Sequence, residues 1–197
     1  FRRVLFRSAG YNELVKKHLP EIKKFVSDTK TPLFYTSEIA KKEHPTSVNV
    51  VISPCVAKKQ ECKYNQNIDY VLSVEELEAL IKGLEIDLNK CEEFSEELEP
   101  SKQGRSFPVS GGVAQAIEFA ADFSICSKII SGINKETIRN LKKYSKDGVC
   151  EDANLVEVMC CEGGCIRGNS TMTDTKTAYN KIQKLAQQSK NIEVNSD

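Results

Sequence analysis

The sequence predicts an α/β fold in which parallel strands alternate with helices. Two short apolar runs, Val48 to Ile52 and Tyr70 to Leu72, each stop at a loop, and the later segment NLVEVMCC repeats this strand-to-loop step. Segments with apolar residues at helical spacing precede the first run and follow the second. Because α/β folds place their sites in loops at the carboxyl ends of strands, we expect the functional residues in these loops.

Composition excludes several classes of protein. Lys and Arg together number 28, as do Asp and Glu, so the chain has no net charge and lacks the basic surface that binds nucleic acid. It has no apolar run of about 18 residues and no export signal, so we expect no membrane partner and a cytoplasmic location. In that compartment the eight cysteines are predicted to be reduced thiols or metal ligands rather than disulfides.

The predicted organisation is a single domain with a short segment at either end. FRRVLFRS carries three arginines in eight residues, so the opening is interpreted as foreign to the fold or as the remnant of a longer parent. The predicted divisions are this remnant over 1–10, the domain over 11–186 and a polar tail over 187–197.

The first half of the domain shows two predicted helices before the first strand. YNELVKKHLPEIKKFV has apolar residues at helical spacing, with a break or kink expected at Pro20. Thr31 and Pro32 begin a second helix that runs through Ile39. The run Val48 to Ile52 is predicted to be a buried parallel strand.

The second half repeats the strand–helix design. After the strand Tyr70 to Leu72, Ser73 and Glu76 form a predicted capping box, and Gly83 is the predicted end of the helix. The acidic stretch 92–99 is predicted to be a solvated loop. A Ser-Gly-Gly turn then opens an apolar helix in FPVSGGVAQAIEFAADF, and TKTAYNKIQKLAQQ closes the domain with an amphipathic helix.

Cysteines in two of the predicted loops are candidate metal ligands. In EVMCCEGGCIRG, Gly163 and Gly164 allow a tight turn that points Cys161 and Cys165 at one centre, with bare backbone N–H groups beside it. Two thiols four residues apart are weak evidence alone. Cys55 in SPCVAKKQE, a second loop after a β-branched strand, strengthens the case.

The remaining cysteines and the lysines near Cys55 have simpler interpretations. Lys58 could balance the charge of a cluster, or it could be a solvated surface lysine. The isolated cysteines are expected to be small buried apolar residues. They are Cys62, Cys91, Cys126 and Cys150.

These loops also carry a family resemblance. SPCVAKKQE resembles the second signature of iron-only hydrogenases, M-P-C-x-x-K-x-x-E, and EVMCCEGGCIRG resembles their third, E-x-M-x-C-x-x-G-C-x-x-G. DYVLSVEELEALIK and FPVSGGVAQAIEF resemble further segments of the family in the same order. The likeness runs from Tyr11 to about Ser170, and it implies the C-terminal part of the catalytic large subunit.

The resemblance implies a fold, cofactors and residue roles. The implied fold has two lobes of parallel sheet with the metal site in the cleft between them, the first lobe being truncated. Cys55 and Cys161 match ligands of a cubane 4Fe-4S cluster. Cys165 matches the ligand that bridges this cluster to a two-iron centre with carbonyl and cyanide ligands, where protons and hydrogen interconvert.

Other site residues follow from the same motif positions. Lys58 matches a lysine that donates to a cyanide of the two-iron centre, and Glu61 matches a carboxylate on the proton path. Met159 matches a residue packed over the metals. The residues implied to line the cofactor pocket are Ser53, Pro54, Ser110, Gly111, Gly112, Gly163 and Gly164.

The sequence departs from the family pattern in three places. The first signature, T-S-C-C-P, should end just before Tyr11, where the chain reads FRSAG, so a fourth cubane ligand and the proton-delivering cysteine have no counterpart. Ser53 replaces the methionine of the second signature, as in sensory-type members. RGNST follows Cys165 in place of a glycine-glycine-glutamine ending.

Three functions stay open from the sequence. The first is oxidation or evolution of hydrogen, or hydrogen sensing, with ferredoxin as electron carrier or with upstream ferredoxin-like or signalling domains in a parent chain. The second is a non-catalytic relative of iron–sulfur assembly that holds a four-iron cluster alone. The third is a structural domain with reduced cysteines or zinc.

Overall fold

The structure, a computed structural model, describes residues 3–5, 9–93, 100–148, 150 and 152–193. The strands within these ranges are β1 (Arg3–Leu5), β2 (Val50–Ser53), β3 (Tyr70–Ser73), β4 (Ser127–Ser131) and β5 (Leu155–Met159). The α-helices are α1 (Ala9–His18), α2 (Pro32–Glu43), α3 (Ala57–Cys62), α4 (Val74–Gly83), α5 (Lys102–Ser106), α6 (Gly112–Ala120), α7 (Lys135–Asp147) and α8 (Thr175–Gln187). Short 3₁₀ helices cover Pro20–Phe25, Leu88–Lys90 and Cys165–Arg167.

Two short parallel sheets organise the chain, which confirms the predicted α/β class. One sheet has the order β1-β5-β4, and the other pairs β2 with β3. All of these pairings are parallel. The central strand β5 is buried at every position, since it has a neighbouring strand on each side.

The main core lies against β5. Val156 and Val158 are fully buried there, and Leu19, Ile22 and Leu141 pack into the same cluster from the helical layer. Burial of each such side chain contributes about 1.5–3 kcal/mol relative to exposure. This core fixes the end of β5, and with it the loop that carries Cys161 and Cys165.

Several local predictions are confirmed. The first helix ends at His18 and a 3₁₀ helix starts at Pro20, because proline has no N–H to continue an α-helix. The α4 capping box is present: Ser73 accepts from Glu76 N, and the Glu76 carboxylate accepts from Ser73 N. The same helix ends at Gly83.

The segment Val48 to Ile52 is predicted to be a buried strand, and the prediction is wrong about the burial. The segment does form the parallel strand β2, but Val50 and Ile52 are 48% and 50% exposed. A two-stranded sheet has two open edges and, among the described residues, no layer covers this face. Apolar composition therefore indicated a strand but not its surroundings.

The ends of the predicted domain are only partly described. Arg3–Leu5, inside the predicted remnant, pair with Leu155–Glu157 as strand β1. The foreign or truncated origin of 1–10 and the division at 186 stay predictions. The predicted acidic loop lies outside the described residues over 94–99. Among the helices that the structure describes, none is both long and apolar enough to span a membrane.

Candidate metal centre

The two cysteine loops leave their sheets in equivalent ways. Cys55 lies two residues beyond the end of β2, and Cys161 lies two residues beyond the end of β5. Both strands belong to parallel sheets, so each loop starts at a carboxyl edge. This is the position from which α/β sheets present their sites.

Backbone contacts bring these two loops together. Ser170 N donates to Pro54 O at 3.1 Å, and Val56 N donates to Asn169 Oδ1 at 3.2 Å. The segment after Cys165 therefore packs on the residues that flank Cys55. Gly168 permits this approach, because a Cβ there would lie 2.3 Å from Pro54 O.

A third loop, 108–112, joins the pair. Ser110 N donates to Gly163 O at 3.1 Å, and Cys165 N donates to Pro108 O at 2.7 Å. A Cβ on Gly164 would lie 2.5 Å from Pro108 O, so only glycine fits between the loops. Its φ of +92° also favours glycine.

A buried carboxylate fixes the Ser-Gly-Gly turn to β5. Glu157 is 1% exposed; its Oε1 accepts from Gly111 N at 2.8 Å and its Oε2 from Ala114 N at 2.7 Å. It thereby caps the start of α6. Burial raises the pKa of Glu157, while the N–H groups of Ala114 and Gly111 oppose that rise. Glu157 is the first residue of the third signature, but the sequence alone does not indicate its role.

The three candidate thiols influence one another. Burial and then the charge of Cys55 raise the pKa of Cys161. The pKa of Cys165 is raised by burial and by the charges of Cys55 and Cys161, whereas Lys58 lowers it. The structure thus places the three cysteines within electrostatic reach of one another, with a lysine ammonium nearby.

Lys58 and Glu61 form an ion pair beside the thiols. Lys58 Nζ donates to Glu61 Oε2, and the two side chains are only 23% and 19% exposed. The alternative interpretation of Lys58 as a solvated surface lysine is therefore wrong. A half-buried ammonium held by one carboxylate has a defined position, which a cation near anionic ligands needs.

Two further site residues lie at the ends of the strands. Met159, the last residue of β5, is 4% exposed. Ser53, the last residue of β2, is 6% exposed, and its hydroxyl accepts from Cys55 N at 3.2 Å. Ser53 therefore shapes the turn that carries Cys55.

The other cysteines do not join this group. Cys160, which the sequence leaves as either a bystander thiol or an alternative ligand, packs against the core cluster and interacts with Tyr11. The expectation of burial holds for Cys150, is met only in part by Cys62, which is partly exposed, and is wrong for Cys91 and Cys126, which are exposed.

The donor set suits an iron–sulfur cluster by its chemistry, since thiolates are the ligands of such clusters. No three Cys, His, Asp or Glu side chains in the described ranges are arranged to hold one metal ion. Zinc keeps its thiolates about 3.8 Å apart at Zn–S bonds of about 2.3 Å, whereas an iron–sulfur cluster spaces them more widely because each binds a different iron. Ser110 Oγ is buried with no hydrogen-bond partner among the described residues, so a polar group is available for a bound ligand.

Comparison with known proteins assigns the family. The family described as iron only hydrogenase large subunit, C-terminal domain, matches residues 7–169. This chain belongs to that family. The match confirms the resemblance read from the two signatures, and it covers all three loops of the candidate centre.

Curated relatives agree with this assignment. Iron hydrogenase 1 of Clostridium pasteurianum is 25% identical over 205 residues, which cover 81% of this chain and 36% of the relative. NADP-reducing hydrogenase subunit HndD of Solidesulfovibrio fructosivorans is 26% identical over 204 residues, which cover 81% of this chain and 35% of the relative. The chain thus spans about a third of the length of the curated relatives it matches.

Solved structures share the fold. A variant of FeFe-hydrogenase HydA1 from Chlamydomonas reinhardtii superposes with a TM-score of 0.64 at 17% identity, covering 94% of this chain and 65% of that one. The HydA(deltaEFG) structure, described as revealing stepwise H-cluster assembly, gives 0.62 at 17% identity with the same coverage. At these identities the likeness shows the fold, α/β with short parallel sheets flanked by helices.

Proposed function

We propose that this chain holds a 4Fe-4S cluster through Cys55, Cys161 and Cys165 and belongs to a hydrogenase-type oxidoreductase or a hydrogen sensor. The observation that carries the proposal is that hydrogen bonds join the loops bearing these cysteines at the carboxyl edges of two parallel sheets. Family membership supports a hydrogenase-like iron–sulfur function, and the site supplies the sulfur ligands that such a function requires.

The chain's own residues divide the work around the bound group. Cys55 and Cys161 would bind the cubane, and Cys165 would bridge it to a two-iron centre. Lys58 would donate to an anionic ligand of that centre, and Glu61 fixes the direction of the donation. When bound, this group would supply electron transfer and the interconversion of protons and hydrogen.

The glycine loops would shape the pocket around the group rather than supply free donors. The N–H groups of the four glycines already have acceptors: Gly111 N donates to Glu157 Oε1, Gly112 N to Val109 O, Gly163 N to Ser131 Oγ and Gly164 N to Cys161 O. The expectation of bare N–H groups beside the centre is therefore wrong, and the glycines serve close packing of the loops instead. The Ser110 hydroxyl would be a donor, and buried Met159 would exclude water beside the metals.

Electron exchange would require a partner. The chain contains no C-x-x-C-x-x-C run for a relay cluster of its own. We propose an electron carrier such as ferredoxin, or ferredoxin-like or signalling domains in a longer parent. Reduction of the reconstituted cluster by ferredoxin, followed by absorbance, tests this part separately.

Anaerobic reconstitution with iron and sulfide tests the cluster. We expect bound iron and sulfide in equal amounts and a charge-transfer absorbance near the visible range. Cys55→Ser should abolish most of this absorbance because it removes one of three thiolate ligands. Cys126→Ser, at an exposed cysteine outside the site, is the matched control and should retain it. Equal iron in the two variants would refute the assignment of Cys55.

A cluster without a two-iron centre is the second candidate function. The described part of the chain offers three thiolates at the site, which favours this simpler occupant when no maturation system is present. Infrared spectra separate the two, because carbonyl and cyanide bands arise only from the two-iron centre. Their absence after maturation, with the cubane in place, would favour the non-catalytic assembly-type relative.

A further inference from the structure

The Glu61 carboxylate has a different partner on each oxygen. Oε2 accepts a hydrogen bond from the Lys58 ammonium, and Oε1 accepts one from the hydroxyl of Thr31. Thr31 precedes Glu61 by 30 residues and lies at the start of α2. The three side chains therefore form a continuous chain of hydrogen bonds that runs from α2 to the lysine beside the thiols.

The Thr31 hydroxyl is not used to cap its own helix. A threonine at the N-cap normally accepts a hydrogen bond from an N–H in the first turn. Thr31 is the N-cap of α2 and makes no such side-chain bond, although Phe34 N donates to its backbone carbonyl at 3.0 Å. Thr31 is 6% exposed, and its hydroxyl is directed to Glu61 instead of to the helix.

Glu61 lies at the wall of a cavity that contains other charged side chains. It lines a cavity of about 300 Å³ together with Thr31 and three lysines, Lys16, Lys23 and Lys30. Of these lysines, Lys16 is paired with Glu13 at 3.0 Å. The hydroxyl of Thr31 holds one oxygen in place, so the other oxygen stays on Lys58.

We infer that Thr31 is a positioning residue, which holds Glu61 so that Glu61 holds the Lys58 ammonium beside the cysteine loops. The consequence for a bound cofactor rests on the proposed function, but the coupling between the three side chains does not. Thr31 lies outside both hydrogenase signatures in the sequence, so neither motif points to it.

A double-mutant cycle on the 197-residue chain tests the coupling. Thr31→Val and Lys58→Met should each raise the unfolding equilibrium constant by about fivefold, as expected for loss of one hydrogen bond. In the double variant the unfolding equilibrium constant should rise by much less than about 25-fold, the product of the two single effects, because both changes break the same network. Denaturant unfolding followed by circular dichroism measures all three.

Two controls separate positioning from packing. Thr31→Ser keeps the hydroxyl and should behave like the parent chain, and Thr31→Ala replaces Thr31→Val should the valine methyl disturb folding. In a Glu61→Gln background, the effects of the Thr31 and Lys58 changes should become independent. The inference is overturned if the double variant raises the unfolding equilibrium constant by the full product of the two single effects. It is also overturned if Thr31→Ser destabilises the chain as much as Thr31→Val does.

A spectroscopic readout extends the test to the loaded protein. With the two-iron centre installed, Thr31→Val should shift or broaden the cyanide bands in the infrared, whereas Thr31→Ser should leave them in place. If the double-mutant cycle shows coupling but the cyanide bands of Thr31→Val are unchanged, then the Lys58 ammonium does not contact the cyanide. Failure to load any cluster would count against the proposed function and leave the cycle to decide the role of Thr31.

Discussion

The backbone N–H of Ser170 donates to the carbonyl of Pro54 at 3.1 Å and so ties together the two cysteine loops. Pro54 directly precedes Cys55, and Ser170 follows the turn that carries Cys165. Pro54 follows β2 and Ser170 lies beyond β5, so this hydrogen bond joins segments that leave two separate sheets. The distance between the thiolates therefore depends on how closely these two backbones pack.

Gly168→Ala tests this dependence. The backbone of Gly168, at φ −61° and ψ 156°, accepts alanine without strain, but the new Cβ would lie 2.3 Å from Pro54 O. The loops must separate, which we expect to cost about 1–3 kcal/mol of stability and to reduce the iron retained after reconstitution. Denaturant unfolding and an iron assay measure the two effects.

Gly83→Ala is the matched control. A Cβ on Gly83 meets nothing within 4 Å, and the residue is the last of α4. Alanine there should leave iron content unchanged and should stabilise the chain by up to about 1 kcal/mol through its helix propensity. Equal iron loss in the two variants would show that Gly168 does not set the spacing of the thiolates.

Glu157→Gln should destabilise the Ser-Gly-Gly turn. Glutamine has one acceptor oxygen, so its NH₂ group would face one of the two N–H donors that the carboxylate now satisfies, those of Gly111 and Ala114. We expect a loss of about 1–3 kcal/mol, the cost of an unsatisfied buried donor. Glu162→Gln, at an exposed glutamate, is the control and should change stability by less than about 0.5 kcal/mol.

The stability difference between the parent chain and Glu157→Gln should depend on pH, and the pKa shift of Glu157 gives its sign. The pKa of Glu157 is raised in the folded state, so the folded chain holds this proton more tightly than the unfolded chain does. The stabilising contribution of the group is full below the unfolded pKa of about 4.3 and falls as pH rises through the folded pKa. The stability gap between the parent chain and Glu157→Gln should therefore narrow with rising pH. If the stability difference between the two chains instead widened as pH rises, the raised pKa of Glu157 in the folded state would be contradicted.

The sequence predicts most of the fold and the cysteine loops for identifiable reasons. Pro20 and the Ser73 capping box act through neighbouring backbone atoms, so their effects are local and can be read from a few letters. The three predicted strands are present as β2, β3 and β5, and the strand-to-loop step holds for β2 and β5, whereas β3 continues directly into α4 at Val74. Family signatures then indicated which of the eight cysteines belong together.

The parts that the sequence did not predict depend on distant contacts. Strand β4 was not predicted, because SKIIS is short and its apolar residues are confined to Ile129 and Ile130. Helix α7 is the exception, since its Asn134 capping box and its Gly148 C-cap are local sequence signals that were missed. The roles of Glu157 and Thr31 come from partners 46 and 30 residues away. The exposure of β2 depends on what packs against it, which no local pattern encodes.

We expect a cluster on this chain to be labile. Three cysteines leave one iron of a cubane to an exogenous ligand, and such a site stays open to solvent and oxygen. After anaerobic reconstitution, the visible absorbance should bleach within minutes to hours of exposure to air. A chain carrying T-S-C-C-P immediately before Tyr11 is the comparison and should lose iron more slowly. An air-stable cluster with a full complement of iron and sulfide on the parent chain would contradict the prediction.

The last prediction compares two repairs of the hydrogenase signatures. Ser53→Met restores the methionine of the second signature, but it removes the hydroxyl that accepts from Cys55 N at 3.2 Å and inserts a larger side chain at a position that is 6% exposed. The turn that presents Cys55 should therefore be disturbed. Ser53→Ala removes the hydroxyl without added volume and separates the two effects.

The segment T-S-C-C-P before Tyr11 should raise dithionite-driven hydrogen evolution far more than Ser53→Met does. It supplies both a fourth thiolate and a thiol that can relay protons, and general acid–base help of this kind is worth about 10²–10⁴ in rate. We expect Glu61 not to replace that thiol, because hydrogen bonds from Thr31 and Lys58 fix its carboxylate in place. Both variants should be matured with the two-iron centre and compared per bound iron, so that unequal loading does not mimic a catalytic difference. An equal or larger gain from Ser53→Met would show that the missing proton relay is not what limits this chain.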